Sequence, residues 1–168
     1  ASIPTVTPLP ENSPTTEADL IPTVATAVPT VSGTVIGPRA GYDVLAYCDQ
    51  YERVPPPLAE GTTVDVFWGW EASTRDYVQQ HIASVIYEVE IDGMLLDSWR
   101  QYADEIQQEP NGVWSIYWYV PVDIPLEPGL HTISYRVSWR NPIFDGSREF
   151  GPGTETEFEV GSCTFEIR

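Results

Sequence analysis

The sequence predicts an all-β protein: a two-sheet antiparallel, immunoglobulin-like sandwich of seven or eight strands behind an extended Thr/Pro-rich arm. Three observations carry this. Apolar and polar residues alternate with period two along most of residues 42–168, as in strands with one buried face. Turn signals such as Asp92-Gly93, Asn111-Gly112 and Asp145-Gly146 separate the alternating runs. No convincing crossover helix lies between them, which excludes a parallel α/β fold. An open barrel is the competing closure.

The elements follow in order. Tyr42, Val44, Ala46 and Cys48 share one face of a first strand over residues 42–48. Pro55, Pro56 and Pro57 end regular structure after it. The second strand covers residues 62–71, with Val64, Val66, Trp68 and Trp70 inward and Asp65 and Glu71 on the other face. A third runs over 82–91, with Val85, Tyr87, Val89 and Ile91 inward. Asp92-Gly93 turns the chain into a return strand over 94–99. Residues 99–108 are polar and suit a helical turn. Residues 113–123 form the most apolar strand: Trp114, Ile116, Trp118, Val120 and Val122 face inward, Ser115, Tyr117 and Tyr119 outward. Pro121 places its end at an edge or an exit from the sheet. The run 130–140 alternates cleanly, with Ile133, Tyr135, Val137 and Trp139 inward. In the last strand, 154–168, the apolar phase slips at Gly161-Ser162, which predicts a β-bulge.

The division is therefore an arm over 1–41 and a sandwich over 42–168. Residues 1–38 hold seven prolines and eight threonines and no aromatic residue. This composition reads as a spacer of extended, polyproline-like chain, suited to O-glycosylation. Ile21, Val24, Val28, Val31, Val35 and Ile36 recur between its threonines. They mark the arm as an assembly element, packed on its own domain or added as a strand to a neighbour. The chain opens at Ala1 without a leader, and so reads as a mature product, with room for a lipid anchor upstream.

Of 168 residues, 25 are acidic and 8 are basic, all eight arginine, for a net charge of -17. That excludes a nucleic-acid surface and a polybasic membrane patch. No apolar run is long enough for a transmembrane segment. The first 38 residues carry three acids and no base, net -3; the remaining 130 carry the other 22 acids and 8 arginines, net -14. The acidity belongs to the folded surface and keeps like subunits apart.

Residues 126–137, Leu-Glu-Pro-Gly-Leu-His-Thr-Ile-Ser-Tyr-Arg-Val, resemble the entry to the penultimate strand of immunoglobulin-like and fibronectin type III-like domains. Leu126, Pro128 and Gly129 match the turn; His131 stands where those families more often place tyrosine. The arm is similar to the Thr/Pro-rich spacers of secreted and lipid-anchored bacterial surface proteins. The resemblance implies the sandwich and an extracellular or cell-surface setting.

In such a sandwich the first and last strands can be neighbours, so Cys48 and Cys163 are expected to form a disulfide; the alternative is two buried thiols. His81 and His131 lie in no catalytic motif, and His131 is expected to hydrogen-bond at its turn. No catalytic residue is assigned. Carboxylate rows such as Glu88 with Glu90, or Glu155, Glu157 and Glu159, read as a solvated face and not as a glycosidase pair. No cofactor is expected. Calcium is the one ion the loop acids suit, at Asp92, Asp97, Asp104 and Glu105 or at Asp145 with Glu149. Tyr117, Tyr119 and Trp99 are the candidate binding surface, for a protein or a glycan. The functional expectation is a non-catalytic extracellular structural or interaction protein with protein partners, same or different, reached through the arm. A carbohydrate-binding or adhesive module is the alternative and a hydrolase the remote one.

Overall fold

A computed structural model describes residues 41–168. The arm positions Ile21, Val24, Val28, Val31, Val35 and Ile36 lie outside the described residues. The domain holds two four-stranded sheets and a small hairpin. The first sheet runs β1 (Tyr42–Leu45), β2 (Val64–Ala72), β6 (Trp114–Pro121), β5 (Gln107–Gln108). The second runs β10 (Phe158–Ile167), β7 (Gly129–Trp139), β3 (Val85–Ile91), β4 (Met94–Leu95). The hairpin pairs β8 (Ile143–Phe144) with β9 (Glu149–Phe150).

The sheets face each other across aromatic side chains. Trp68 on β2 meets Tyr87 on β3 at 5.4 Å and Tyr135 on β7 at 6.4 Å between ring centroids. Trp118 on β6 meets Tyr87 at 5.0 Å. Every inward position expected on β3 and β7 is buried, as are Val64, Val66, Trp68 and Trp70 on β2. Burying one such large side chain contributes roughly 1.5–3 kcal/mol, so these alternating rows supply the driving force for the fold.

Several expectations are corrected. The third strand does not begin at Ile82. Arg75–Ser84 form a helix, α1. Thr74 caps it by accepting a hydrogen bond from the Tyr77 amide at 3.2 Å, and Asp76 complements its positive end. Its inward residues, Val78, His81 and Ser84, are few and mostly polar, which conceals the helical period. The first strand stops at Leu45, and Cys48–Tyr51 form a 3-10 turn. β1 pairs with β2 in parallel, whereas every other strand pair is antiparallel. The last strand has no bulge, because its register with β7 is unbroken from Phe158 to Ile167. The phase slip has another cause: Phe158 and Val160 point outward and are exposed, while Cys163, Phe165 and Ile167 point inward. Arg136 accounts for Phe158, with its guanidinium 4.8 Å over the ring.

The expected disulfide, Cys48–Cys163, is formed. It fixes the 3-10 turn against β10, an edge strand. Gln50 donates to the Val160 carbonyl at 2.7 Å, and the Ser162 hydroxyl donates to Asp49 at 2.8 Å. Farther along, the Leu58 amide donates to the Glu166 carbonyl and the Arg168 amide to the Leu58 carbonyl, both at 2.8 Å. The loop thereby occupies much of an edge that would otherwise invite another strand.

Candidate functional site

The outer face of the first sheet is the feature best suited to contact. Cross-strand register orders its outward residues in rows: Asp43, Asp65 and Pro121; Leu45, Phe67 and Tyr119; Gly69 and Tyr117; Glu71 and Ser115. Phe67 and Tyr119 stand directly opposite and stack, with centroids 5.4 Å apart and planes 15° apart. Tyr117 follows at 6.4 Å from Tyr119. All three rings are half-buried. The result is an aromatic stripe across two strands, a common form of cross-strand stabilisation.

Gly69 makes the stripe continuous. A Cβ there would lie 2.5 Å from the Tyr117 ring, so glycine lets that ring lie down on the sheet. Gly69→Ala is expected to lift the ring toward solvent. Because the ring is half-exposed and can swing, the cost should be near the low end for overpacking, about 1 kcal/mol. Urea melts give that number, and an unmoved Tyr117 in a crystal structure of the variant would contradict it.

Carboxylates border the stripe. The Tyr117 hydroxyl donates to Glu71 Oε1 at 3.4 Å, and Ser115 donates to Glu109 Oε1 at 2.5 Å. Partial burial, followed by the charges of Glu71 and Glu109, raises the Tyr117 phenol above its usual range, so it stays a neutral donor. Tyr47, just beyond β1, packs its ring against Tyr51 and Tyr135. Burial pushes its phenol up to about 12, against the lowering effect of a hydrogen bond from the Gly69 backbone.

Tyr117 and Tyr119 thus stand together, as two of the three expected binding residues. Trp99 does not join them. It is 7% exposed, packed edge-on against Tyr87 at 4.9 Å and Trp118 at 5.9 Å. Its segment is a 3-10 turn, Trp99–Tyr102, that folds its indole inward beneath Arg100, 4.1 Å above the ring. Phe67 takes the place expected for it. The signal was present: Phe67 alternates with Val66 and Trp68, so it had to face outward with Tyr119.

Both histidines have structural partners. His131 Nδ1 lies 2.6 Å from Asp92 Oδ2, and Nε2 lies 2.7 Å from the Glu127 carbonyl. Two acceptors suit a doubly protonated ring. Burial lowers its pKa, but the hydrogen bonds to Asp92 and Glu127 and the Asp92 charge together raise it above the usual histidine value. His81 is wholly buried on α1, between Trp139 and Tyr87.

Three of the calcium candidates, Asp92, Asp104 and Asp145, accept hydrogen bonds within the fold. Asp92 accepts from His131 and from the Thr132 amide at 2.9 Å. Asp145 accepts from the Ser147 and Arg148 amides at 2.6 and 2.9 Å. Asp104 accepts from the Glu105 amide at 2.9 Å. Among the described residues, no group of three or more His, Cys, Asp or Glu is arranged to hold a metal ion. Among them, too, no helix is long and apolar enough to cross a membrane.

The fold and this face define a β-rich, two-sheet domain stapled by one disulfide and carrying an aromatic, acid-bordered surface. No family model, curated protein or solved structure matches the chain.

Proposed function

We propose that this chain is a non-catalytic interaction module of an extracellular or cell-surface protein. It serves as a subunit or accessory element of a larger assembly, and the outer face of its first sheet is its contact surface. The observation that carries this reading is the Phe67–Tyr119–Tyr117 stripe with its carboxylate border. Tyrosine and phenylalanine are favoured where one protein surface meets another. The use of His81 and His131 in hydrogen bonds within the fold supports the non-catalytic part. The disulfide supports an oxidising compartment.

We also propose that the sandwich is of the immunoglobulin-like or fibronectin type III-like kind. The order β1-β2-β6-β5 beside β10-β7-β3 has the same succession as strands ABED beside GFC in those domains. His131, near the start of β7, bonds back to the carbonyl of Glu127. That is the position and bond of the tyrosine corner, made by an imidazole. The parallel pairing of β1 and a disulfide joining the two ends of the domain set this chain apart from the antibody pattern.

The test is a Phe67→Ala/Tyr117→Ala double variant of the full chain, compared with wild type by sedimentation velocity. If the stripe is a hot spot between subunits, its loss should cost at least about 2 kcal/mol, about thirtyfold in the association constant. Equal association in the two proteins would sink a same-subunit contact. Glu71 beside Tyr117 favours a second reading, a carbohydrate platform, since sugars stack on rings and hydrogen-bond to carboxylates. Titration with a glycan panel, with binding lost in Tyr117→Ala, would favour that reading.

A further inference from the structure

We infer that the Tyr117 end of the stripe receives an arginine side chain of a basic partner protein, its guanidinium stacked on the Tyr117 ring and bonded to Glu71. This inference rests on the reading of the stripe as a contact surface and names the chemistry of what it contacts.

The first observation is how the Tyr117 ring lies. Its Cδ1 and Cε1 would each be 2.5 Å from a Cβ on Gly69, so the ring rests on bare backbone of the neighbouring strand. One face of the ring is set against Gly69 and the other is turned away from the sheet. The face of an aromatic ring is the part that attracts a cation. Gly69 thus lays the ring down as a platform.

The second observation is charge. The Tyr117 hydroxyl donates to Glu71 Oε1. Ser115, opposite Glu71 in the register, donates to Glu109 Oε1. Both carboxylates act on the Tyr117 phenol through their charge, so both also act on a charge set over the ring. Among the described residues, no arginine pairs with Glu71 or Glu109, and the chain has no lysine.

The third observation is that the domain builds the completed arrangement elsewhere. Arg136 lies 4.8 Å over the Phe158 ring and donates to Glu88 Oε2 at 2.5 Å. Arg148 lies 4.4 Å over the Phe150 ring and donates to Glu159 Oε1 at 3.0 Å. Each site joins a ring, a guanidinium and a carboxylate. Tyr117 and Glu71 supply two of these three parts. Arginine completes the set better than lysine, because a planar guanidinium stacks on a ring while its N–H fork reaches a carboxylate at the edge. A second copy is a poor source of it. Arg136, Arg148 and Arg168 are already paired within the domain, and two chains of net charge -17 repel each other. The same negative field draws in a basic partner and speeds its encounter.

The experiment titrates the full chain, isotope-labelled at tyrosine, with the peptide acetyl-Gly-Arg-Gly-Arg-Gly-amide and follows it by NMR. The Tyr117 ring signals, assigned by their absence in Tyr117→Phe, should move saturably. The citrulline analogue keeps the shape of arginine and lacks its charge. It should bind about tenfold more weakly, from the loss of a cation–ring contact and an ion pair. Glu71→Gln/Glu109→Gln keeps the ring and should weaken the arginine peptide by a similar factor. Equal binding of the arginine and citrulline peptides would overturn the inference. So would Tyr117 signals that never move, or undiminished binding by a Glu71→Gln/Glu109→Gln variant whose other tyrosine signals match wild type. The stripe's role in subunit association is read separately by sedimentation of Phe67→Ala/Tyr117→Ala, so either idea can fail alone.

Discussion

Removing the Cys48–Cys163 disulfide is expected to destabilise the domain by about 4–5 kcal/mol. The bond joins residues 115 apart in sequence, nearly the whole domain. In the chain-entropy account, a cross-link acts mainly on the unfolded ensemble, and its effect grows with the logarithm of the enclosed loop. Set against a typical domain stability of about 5–15 kcal/mol, this is about a quarter of the total or more. The melting temperature should fall by roughly 15–20 °C. A folded-state contribution adds to this. Cys48 opens the 3-10 turn whose Asp49 and Gln50 bind the β10 edge. Once freed, that edge can pair with another chain. A Cys48→Ala/Cys163→Ala variant should therefore be less stable and also more prone to aggregate. Denaturant melts of the oxidised protein and the variant provide the measurement. A difference below about 1 kcal/mol would mean that the unfolded chain is not the ensemble the loop argument assumes.

The sandwich was legible because its core strands obey period two over long runs. β7 alternates from Ile133 to Trp139 without error, and β3 from Val85 to Ile91. The disulfide was legible from the two-sheet closure, although the 3-10 turn after β1, and not β1 itself, is what packs on β10. α1 was hidden because it buries only one apolar residue, Val78, beside two polar ones, His81 and Ser84. Polar residues are buried there because tertiary hydrogen bonds satisfy them, and periodicity cannot register that. The parallel pairing of β1 depends on the long loop from Cys48 to Thr63, whose course no local pattern dictates. On β10, the exposed Phe158 and Val160 broke the alternation without a bulge. Two of the three rings of the candidate surface were legible. Tyr117 and Tyr119 follow from alternation on a central strand, whereas Trp99 sits in a segment without period, where exposure follows from packing alone.

Acidification from pH 6.5 to 5 is expected to destabilise this domain through His81, by up to about 2 kcal/mol. The ring lies parallel to Trp70, 4.2 Å away, and is wholly buried. The Trp139 indole N–H, which can only donate, bonds His81 Nδ1 at 3.0 Å. Nδ1 is therefore the acceptor, and Nε2 carries the proton toward the Tyr87 hydroxyl at 2.8 Å. Tyr135 packs beside Tyr87, with ring centroids 5.9 Å apart. Protonating Nδ1 would set two donors against each other and bury a cation, and burial already holds the pKa well below 6.5. Above pH 6.5 neither folded nor unfolded His81 carries the extra proton, so it adds no slope. Below it, only the unfolded chain binds the proton, and stability falls by up to about 1.4 kcal/mol per pH unit. His131 acts in the opposite sense. Its folded pKa is raised, so its contribution is present below the unfolded value and is lost as pH rises through the folded one. Since the Asp92 side chain is 44% exposed and solvent screens the pair, that contribution is the smaller. His81→Ala is expected to cost about 3–5 kcal/mol, from the cavity and from the partners it leaves on Trp139 and Tyr87. His81→Phe fills the space while removing the titration. Urea melts from pH 5 to 8 should show the acid slope in wild type and its loss in His81→Phe, with the lower baseline of the variant retained throughout. An undiminished slope in His81→Phe would assign the acid sensitivity to the carboxylates and remove the buried histidine from the argument.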